Sequence, residues 1–327
     1  MIDFVILWVD GSDPEWLSEF KKYSGEKGDK AVSRFRDWDN LQYWFRGVEK
    51  FAPWVDKIHF VTWGHLPKWL NRNHPKLSII KHSDFIPKEY LPTFNSHTIE
   101  LNLHRITTLN EKFVYFNDDH FLIRPLSKSR FFRNGLPCDM AVLNAIQPND
   151  EGIDNIILNN IKIINRHFNK RRILKTNWQK WFSLRYKKEL YRTIALYPWS
   201  LFTGFLDPHM PNAYTKSLFS KVWNEEFETL NQTCLCRFRN SSNINQYLLR
   251  YWRLCEGNFE PINIFDDSHF FQLQNENLIS SCRDIENLKY RIIGLTDVEK
   301  GIDFNKARIQ INSILDSLLP EKSSFEL

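Results

Sequence analysis

Two adjacent carboxylates in the first half of the chain have the chemistry needed to bind a divalent cation. Asp118 and Asp119, preceded by Asn117, directly follow residues 113–116, whose apolar and aromatic character predicts an interior strand. Ligands of an open α/β sheet bind at the carboxyl ends of its strands, and paired carboxylates there are hard ligands for a cation that holds phosphates. The pattern therefore favours a nucleotide-sugar or phosphoryl-transfer site. The alternative is that the pair begins a turn or caps a helix.

A second apolar run, residues 3–9, also ends in acids. It breaks into Asp10 and Gly11, followed by Asp13 and Pro14. Gly11 permits close backbone approach or a positive φ, whereas Asp13 and Pro14 are typical of an N-cap and a first-turn proline. A helix that begins there would favour anions at its N-terminus. Two buried strands are thus expected to deliver acids at their carboxyl ends.

Longer stretches of the sequence keep a characteristic order and spacing. They are IDFVILWVDGSDPEW, then RFRDWDNLQYWFRGVEKFAPWVDKIHFVTWGHLPKWLN, then LPTFNSHTIELNLHRI with FVYFNDD. Together they resemble the first two blocks of the Stealth family, which contains bacterial capsular polysaccharide phosphotransferases and the animal N-acetylglucosamine-1-phosphotransferase. HMPNAYTKSLFSKVWNEEF resembles the third block, and RIIGLTDVEKGIDF through LLPEKSSFEL resembles the fourth. In the fourth block, Thr296 stands where the family usually has Asn.

The resemblance implies an enzyme that moves a sugar-1-phosphate from a nucleotide-activated sugar, typically a UDP-sugar, to an acceptor hydroxyl. The pyrophosphate bond would break, UMP would leave, and a phosphodiester would form on a glycan or lipid-linked glycan. Such a reaction needs in-line positioning, neutralised phosphoryl charge and a proton acceptor. The implied fold is α/β, a mainly parallel sheet flanked by helices in the GT-A-like architecture of nucleotide-sugar transferases, with a helical insertion.

Some residues are candidates for binding the metal, and others for accepting the proton. Asp118, Asp119 and Asp297 are the candidate ligands of Mg²⁺ or Mn²⁺, although Mg²⁺ usually takes only one or two protein carboxylates. His209 matches the histidine of the third block and is the candidate for accepting the proton, the alternative being a structural core histidine. Asp10 is predicted to contact the nucleotide or the metal's surroundings.

Other residues are predicted to hold the donor. Arg36 and Arg239 lie in family blocks, can offer paired donors to phosphoryl oxygens, and join His209 and Asp10 as catalytic candidates. The candidate donor-binding residues are Asp10, Gly11, Asp13, Asn95, Ser96, Glu100, His104, Arg105 and Asn117. For Asn95 and Ser96, helix capping is the alternative. Glu100 and His104 share a face of a predicted helix, so a mutual hydrogen bond is as well supported as direct catalysis.

Composition and charge indicate the class of protein, its cellular location and its binding partners. The chain is 42% hydrophobic, and no stretch approaches the roughly 20 apolar residues that span a bilayer, so a soluble protein with a large core is expected. An odd number of cysteines, five, argues against a disulfide framework and favours the cytoplasm, including the inner face of the cell membrane. Residues 162–192 contain 11 Lys or Arg and one acid, interleaved with aromatic residues. That segment predicts contact with an acceptor or with anionic lipid, the alternative being a solvated helical pair whose aromatic residues pack inward. No nucleic-acid-binding motif accompanies it.

Alternating strands and helices predict one catalytic domain over residues 1–327, with residues 150–199 as a basic, mainly helical insertion. Helices are predicted at residues 39–51, 67–71, 96–109 and 215–230. Two alternatives to the phosphotransferase remain open. One is a metal-dependent glycosyltransferase that releases UDP, and the other is a non-catalytic protein that binds a nucleotide-sugar or a glycan.

Overall fold

The computed structural model describes residues 1–29, 37–147, 153–297 and 302–327. Arg36, a predicted phosphate ligand, lies outside these ranges. The described strands are β1 (Asp3–Leu7), β2 (Ile58–Thr62), β3 (Leu77–Lys81), β4 (Lys112–Phe116), β5 (His120–Leu122), β6 (Phe132–Arg133), β7 (Leu136–Asp139), β8 (Asn212–Thr215), β9 (Glu260–Pro261), β10 (Ser268–Leu273) and β11 (Ile292–Asp297).

Helices connect and cover these strands. The described α-helices are α1 (Pro14–Lys22), α2 (Leu41–Phe51), α3 (His82–Phe85), α4 (Ser96–Asn102), α5 (Asp154–His167), α6 (Lys170–Thr176), α7 (Trp178–Trp181), α8 (Leu190–Leu196), α9 (Lys216–Glu225), α10 (Phe227–Cys234), α11 (Tyr247–Glu256), α12 (Leu278–Glu286) and α13 (Phe304–Leu318). Within the described residues, no helix is long and apolar enough to cross a membrane.

The main sheet sets the position of the site. Its described strands run in the order β3, β2, β1, β4, β8, with β8 antiparallel to β4 and the others parallel. The predicted α/β class with a mainly parallel sheet is confirmed. Along the chain, β2 and β3 extend the sheet on one side of β1, and β4 then extends it on the other side. The carboxyl ends of β1 and β4 are therefore adjacent at the point where ligands of such sheets bind.

Aromatic packing fixes these two strands against the helices. The Phe4 ring on β1 lies 4.7 Å from the Phe116 ring on β4, and Trp44 of α2 packs edge-on against Phe116. Trp44 is fully buried, and Trp38 and Trp54 pack at the margin of the same apolar core. Large buried rings stabilise such a layer mainly through the area they remove from water.

A second described sheet brings the end of the chain to the same place. β5 immediately follows the Asp118–Asp119 pair and is antiparallel to β11, which is parallel to β10. The Leu295 N–H donates to the Asp119 carbonyl oxygen at 2.9 Å. Asp297, two residues later at the end of β11, is thus carried toward the carboxylate pair by the backbone register.

Some predicted elements differ from the structure. Residues 67–71 form turns rather than a helix. The helix predicted over 96–109 ends at Asn102 and tightens into a 3₁₀ turn, Leu103–Arg105. The helix predicted over 215–230 is two helices, α9 and α10, because Glu226 between them has non-helical backbone angles. The region 153–199 is mainly helical, and we propose that it is an insertion within one domain.

Candidate active site

Asp119 lies between two histidines at the carboxyl end of β4. Its Oδ2 atom is 3.7 Å from His209 Nε2, and its Oδ1 atom is 3.4 Å from His120 Nε2. One ligand atom from each of these three residues lies within 4.8 Å of the others. Asp119 Oδ1 is buried and accepts no hydrogen bond from the described residues. Because an unsatisfied buried carboxylate oxygen is costly, this atom fits a role in binding a cation.

His120 is held as a neutral hydrogen-bonding residue. Its Nδ1 accepts from the Asn117 N–H at 3.2 Å, so Nε2 carries the proton and donates to the His209 carbonyl oxygen, also at 3.2 Å. Burial lowers the pKa of His120 to about 4. With both nitrogens engaged, His120 positions the loop that carries His209 and is poorly suited to ligate a metal.

The pKa values of the other titratable groups at the site are shifted in different directions. Burial opposes ionisation of Asp119, but the nearby His120 and His209 hold its pKa below the ordinary value. Burial also opposes protonation of His209, yet the hydrogen bond and charge of Asp119 outweigh it and raise the pKa of His209. Asp118 is exposed but recessed, and reduced hydration, followed by the charge of Asp119, raises its pKa to about 7. Neighbouring carboxylates whose pKa values move apart are typical of functional sites.

The loop before His209 is anchored to α11 by a buried ion network. Arg250, which is fully buried, donates to Asp139 Oδ1 at 2.8 Å and to Asp207 Oδ1 at 2.6 Å. Tyr251 donates to the other oxygen of Asp207. Asp207 is two residues from His209, whose own φ of 48° is in the left-handed region. The network therefore fixes a strained backbone that presents the histidine side chain, 42% of which is exposed, to the site.

A chain of polar groups leads from α4 to the end of β4. Arg239 donates to the Ser96 hydroxyl at 2.6 Å, and Ser96 hydrogen-bonds to the buried Glu100. The Tyr115 hydroxyl lies 3.3 Å from Glu100 Oε1 and 2.7 Å from Asn117 Oδ1. Burial raises the pKa of Glu100, although the charge of Arg239 opposes this. This chain brings four of the predicted site residues together behind the carboxylate pair.

One cavity opens beside the carboxyl end of β1. It has a volume of about 360 Å³, and its lining includes Asp10, Asp13, Asp37, His65 and Trp8. His65 accepts the Asp10 N–H at 2.7 Å, while its buried Nδ1 has no hydrogen-bond partner among the described residues. Asp13 caps α1 by accepting the Trp16 N–H at 2.8 Å, as the sequence predicted.

One acid of the cavity lining, Asp37, acts on Asp118, because its charge contributes to the raised pKa of Asp118. Gly11 lies in the turn that links β1 to α1. The cavity thus combines acids and apolar rings at the end of the strand next to β4.

A second cavity opens on the other side, at His209. It has a volume of about 500 Å³, and its lining includes Asp154 and Ile157 of α5, Arg192 of α8, and Tyr247. Two helices of the 150–199 region therefore form part of its wall. One cavity thus opens at β1, and another opens at His209, the partner of Asp119.

Three predicted donor-binding residues are used elsewhere in the structure. Asn95 is fully buried, caps α4 through the His97 N–H, and donates to Cys236 O and Asn243 Oδ1, so the capping alternative is the observed one. The predicted Glu100–His104 hydrogen bond does not form, because α4 ends between them. His104 instead packs against the Phe219 and Trp223 rings.

Arg105 also points away from the carboxylates. It donates to Asn102 Oδ1 at 2.8 Å and its guanidinium lies 5.0 Å from the centre of the Trp223 ring. These contacts assign Arg105 to packing of α4 against α9. The backbone of Asp297 reaches the edge of the site at the end of β11.

Sequence reasoning missed four residues that complete the site: His120, His65, Asp37 and Asp207. His120 had a signal, because it directly follows Asp118 and Asp119. Asp207 had a weaker one, since it stands two residues before His209. His65 and Asp37 are brought to Asp10 only by the sheet order and the loop after β2, which the sequence does not specify.

The donor set indicates which cation would fit. Asp118 and Asp119 supply hard oxygen atoms, including the unsatisfied Asp119 Oδ1, and this chemistry suits Mg²⁺ or Mn²⁺. The group whose ligand atoms lie within 4.8 Å of one another consists of Asp119, His120 and His209 and does not include Asp118. The chemistry of Asp119 Oδ1 fits a divalent cation, and we propose that Asp118 supplies a second oxygen.

Comparison with known proteins identifies the family of this chain. Models of Stealth protein conserved region 1 and conserved region 2 match residues 2–28 and 34–138. The capsular polysaccharide phosphotransferase WcwK of Streptococcus pneumoniae is 42% identical over 99% of this chain and 98% of the relative. The exopolysaccharide phosphotransferase cps2G of Lactiplantibacillus plantarum is 41% identical over 99% and 96%, and the receptor polysaccharide phosphotransferase WefC of Streptococcus oralis is 36% identical over 100% and 99%.

Among solved structures, the galactosyltransferase LgtC in complex with donor and acceptor sugar analogs matches with a TM-score of 0.40 and 10% identity, covering 98% of each chain. The full-length relatives define the protein as an enzyme of the phosphotransferase class. The chain belongs to the Stealth family.

Proposed function

We propose that this enzyme transfers a hexose-1-phosphate or N-acetylhexosamine-1-phosphate from a UDP-sugar to a glycan hydroxyl in cell-surface polysaccharide synthesis, releasing UMP. The observation that carries the proposal is that Asp119 at the end of β4 pairs with His209, which lines one cavity, while a second cavity opens at the end of the neighbouring strand β1. A transfer reaction needs separate room for donor and acceptor on either side of the reacting group. The relatives' names as polysaccharide phosphotransferases support the same substrate class.

The cavity at β1 suits the nucleoside end of the donor. Trp8 and the His65 ring, 5.2 Å apart and edge-on, provide apolar surface, and Asp10 and Asp13 can accept hydrogen bonds from ribose hydroxyls. Asp37 adds a further negative charge. These acids would repel a diphosphate unless a cation stood between them. Mg²⁺ or Mn²⁺ held by Asp118 and Asp119 would neutralise charge on the phosphoryl oxygens.

His209 is placed to act as the base. The acceptor oxygen attacks the phosphorus next to the sugar, the bond between that phosphorus and the bridging oxygen breaks, and UMP leaves with the electron pair. The hydroxyl proton passes to His209 Nε2, and Asp119 stabilises the imidazolium that results. Arg239, positioned by Ser96, is proposed to neutralise donor charge from the α4 side.

The cavity at His209 is proposed to hold the acceptor. Its wall offers the Arg192 guanidinium and the Tyr247 hydroxyl beside the apolar Ile157. Sugars bind through hydroxyl hydrogen bonds and through apolar contact with their ring faces, and this lining supplies both. The proposal therefore places donor and acceptor on opposite sides of Asp119.

Analysis of the nucleotide product tests the proposal. The purified enzyme is incubated with a panel of UDP-sugars, Mg²⁺ or Mn²⁺, and the glycan acceptor, and nucleotides are separated by ion exchange. UMP formed in proportion to acceptor-linked phosphate is the expected result. UDP as the product would identify a glycosyltransferase, and binding without turnover would identify a non-catalytic protein. The variant His269→Ala, which changes an exposed histidine away from the carboxylates, serves as the active control.

A further inference from the structure

Large apolar side chains are exposed at six positions between residues 184 and 201, at the end of the 150–199 region and in the loop after it. Tyr191 is 64% exposed, Ile194 57% and Trp199 55%. The exposed set in this stretch is Leu184, Tyr191, Ile194, Tyr197, Trp199 and Leu201. Monomeric proteins rarely expose so many large apolar residues within a short segment unless the surface binds something.

The geometry of α8 explains why these residues face outward. Thr193 is fully buried and its hydroxyl accepts the Leu143 N–H at 3.1 Å, while Leu190 and Leu196 pack against the core. Tyr191 and Ile194, three residues apart, therefore share the opposite face of the helix. The outward face is fixed by burial of the inner one.

A buried lysine ties a cationic helix to the same surface. Lys170 is 1% exposed, and its ammonium donates to Leu196 O at 2.6 Å and Trp199 O at 2.9 Å. Since Lys170 and Leu174 form the inner face of α6, the exposed Arg171, Arg172 and Lys175 lie outside it. Lys170 is thus structural rather than part of the charged surface that the sequence suggested.

Two more cations complete the surface. Arg185 and Lys188 precede α8 and are exposed. In the described part of the chain, neither they nor the three α6 cations take part in an ion pair, whereas Arg166, Lys187 and Arg192 each do. The exposed apolar residues are therefore bordered by unpaired positive charge.

We propose that this surface, the lipid-docking face, binds an anionic bilayer. It comprises Tyr191, Ile194, Tyr197, Trp199 and Leu201 with Arg171, Arg172, Lys175, Arg185 and Lys188. Tyrosine and tryptophan favour the membrane–water interface, and cations beside them are attracted to anionic headgroups. A soluble polyanion would pair with the cations but leave the apolar side chains in water, so lipid satisfies both parts of the face.

The location of the face has a consequence for the acceptor. Arg192 follows Tyr191 in α8 and lines the cavity at His209. Docking would therefore hold that cavity close to the membrane surface, where a lipid-linked glycan is available. Docking itself does not depend on the proposed function, but this consequence rests on it.

Vesicle binding by the whole protein tests the docking. Vesicles of phosphatidylcholine with about one-third phosphatidylglycerol are compared with pure phosphatidylcholine by co-sedimentation. The wild type should bind the anionic vesicles preferentially. Replacing Ile194 and Trp199 with Ser, or Arg171 and Arg172 with Gln, should each lower partitioning about tenfold. The arginine effect should vanish at high salt, because screening removes the charge contribution.

Matched controls separate docking from general stickiness. Ile309→Ser removes a 65% exposed isoleucine from α13, and Lys128→Gln removes an exposed lysine elsewhere, and both should bind like the wild type. Equal losses in these controls, or no preference of the wild type for anionic vesicles, would overturn the proposal. Release of UMP with a water-soluble acceptor should be unchanged in the face variants. Vesicle binding therefore tests the docking proposal, and UMP release tests the proposed function independently of it.

Quenching by brominated lipid gives a second measurement that keeps the fold intact. Trp199→Phe retains an aromatic side chain, so vesicle binding should persist. The quenching of tryptophan fluorescence seen with the wild type should fall in this variant, because Trp199 is expected to enter the interface. Unchanged quenching would place Trp199 away from the lipid and overturn the proposal.

Discussion

The two oxygens of Asp119 have different neighbours. Oδ2 faces His209, whereas Oδ1 is buried, lies near His120 and accepts no hydrogen bond from the described residues. One carboxylate can therefore support the base through one oxygen and a cation through the other. Among the described residues, Asp118 forms no ion pair with a histidine, and reduced hydration together with the charges of Asp119 and Asp37 raises its pKa. The two aspartates should consequently fail in different ways when replaced.

Replacing either aspartate should strongly reduce transfer. Asp118→Asn and Asp119→Asn should each lower the rate of UMP release by at least about a hundredfold, because lost charge stabilisation at a phosphoryl group costs several kcal/mol. Raising the cation concentration should recover part of the Asp118→Asn activity but little of the Asp119→Asn activity. Wild-type rates in both variants at limiting Mg²⁺ would remove the pair from the site.

His209→Ala should lower kcat by about 10² to 10⁴, the range for a positioned base, while UDP-sugar binding remains measurable. Thermal unfolding provides the check on folding. If the variant melts early yet keeps its rate per folded molecule, His209 has a structural role and the assignment is incorrect.

The pH profile should report the partnership between Asp119 and His209. The base must be unprotonated, so the rate should rise with pH through the pKa of His209, which Asp119 raises above its ordinary value. In Asp119→Asn the raising partner is lost, and the residual activity should therefore have its acid limb at lower pH. An unchanged acid limb would show that another group sets it.

At the scale of elements, the buried ion network that joins α11 to the His209 loop should contribute strongly to stability. Arg250→Met removes the arginine partner of Asp207 and one of the two arginine partners of Asp139, the other being Arg253, and the free energy of unfolding should fall by about 3–5 kcal/mol. Urea denaturation measures it. Arg185→Met, at an exposed arginine, should change stability by less than about 0.5 kcal/mol. Similar losses in both variants would contradict this role of Arg250.

Asp207 should leave a signature in the pH dependence of stability. Burial raises its folded-state pKa from 3.8 to about 6, despite the charge of Arg250. The folded protein then holds a proton that the unfolded chain releases, so this contribution to stability is complete below pH 3.8 and is lost as the pH rises through about 6. Asp207→Asn should flatten that decline, as denaturation across this interval would show. A slope equal to that of the wild type would contradict it.

Strand ends were the part of the site that sequence could predict. Residues 3–9 and 113–116 are apolar runs that stop at Asp10 and at Asp118, and a parallel sheet then brings these acids together. His209 followed from its family block rather than from any local pattern. The Arg250 network could not be predicted, because its partners Asp207 and Asp139 lie 43 and 111 residues before Arg250 along the chain. The predicted hydrogen bond between Glu100 and His104 is wrong, because the helix ends sooner than its periodicity indicates.

Whole-molecule stability should respond to the cation. In the proposed site Mn²⁺ or Mg²⁺ would bind only the folded chain, so the cation should raise the melting temperature of the wild type and leave that of the double variant Asp118→Asn, Asp119→Asn unchanged. The rise should be larger above pH 7 than below it, since Asp118 has a pKa of about 7 and must release its proton to bind a cation. Chelation by EDTA should abolish transfer. Equal stabilisation of wild type and double variant would place the cation elsewhere.

The proposed function requires that phosphorus itself is transferred to the acceptor. A UDP-sugar labelled with ³²P at the phosphorus next to the sugar tests this directly. The label should appear in the polymeric acceptor in a form that resists phosphatase, with unlabelled UMP as the nucleotide product. Label that stays in UDP while unlabelled sugar enters the polymer would contradict the account.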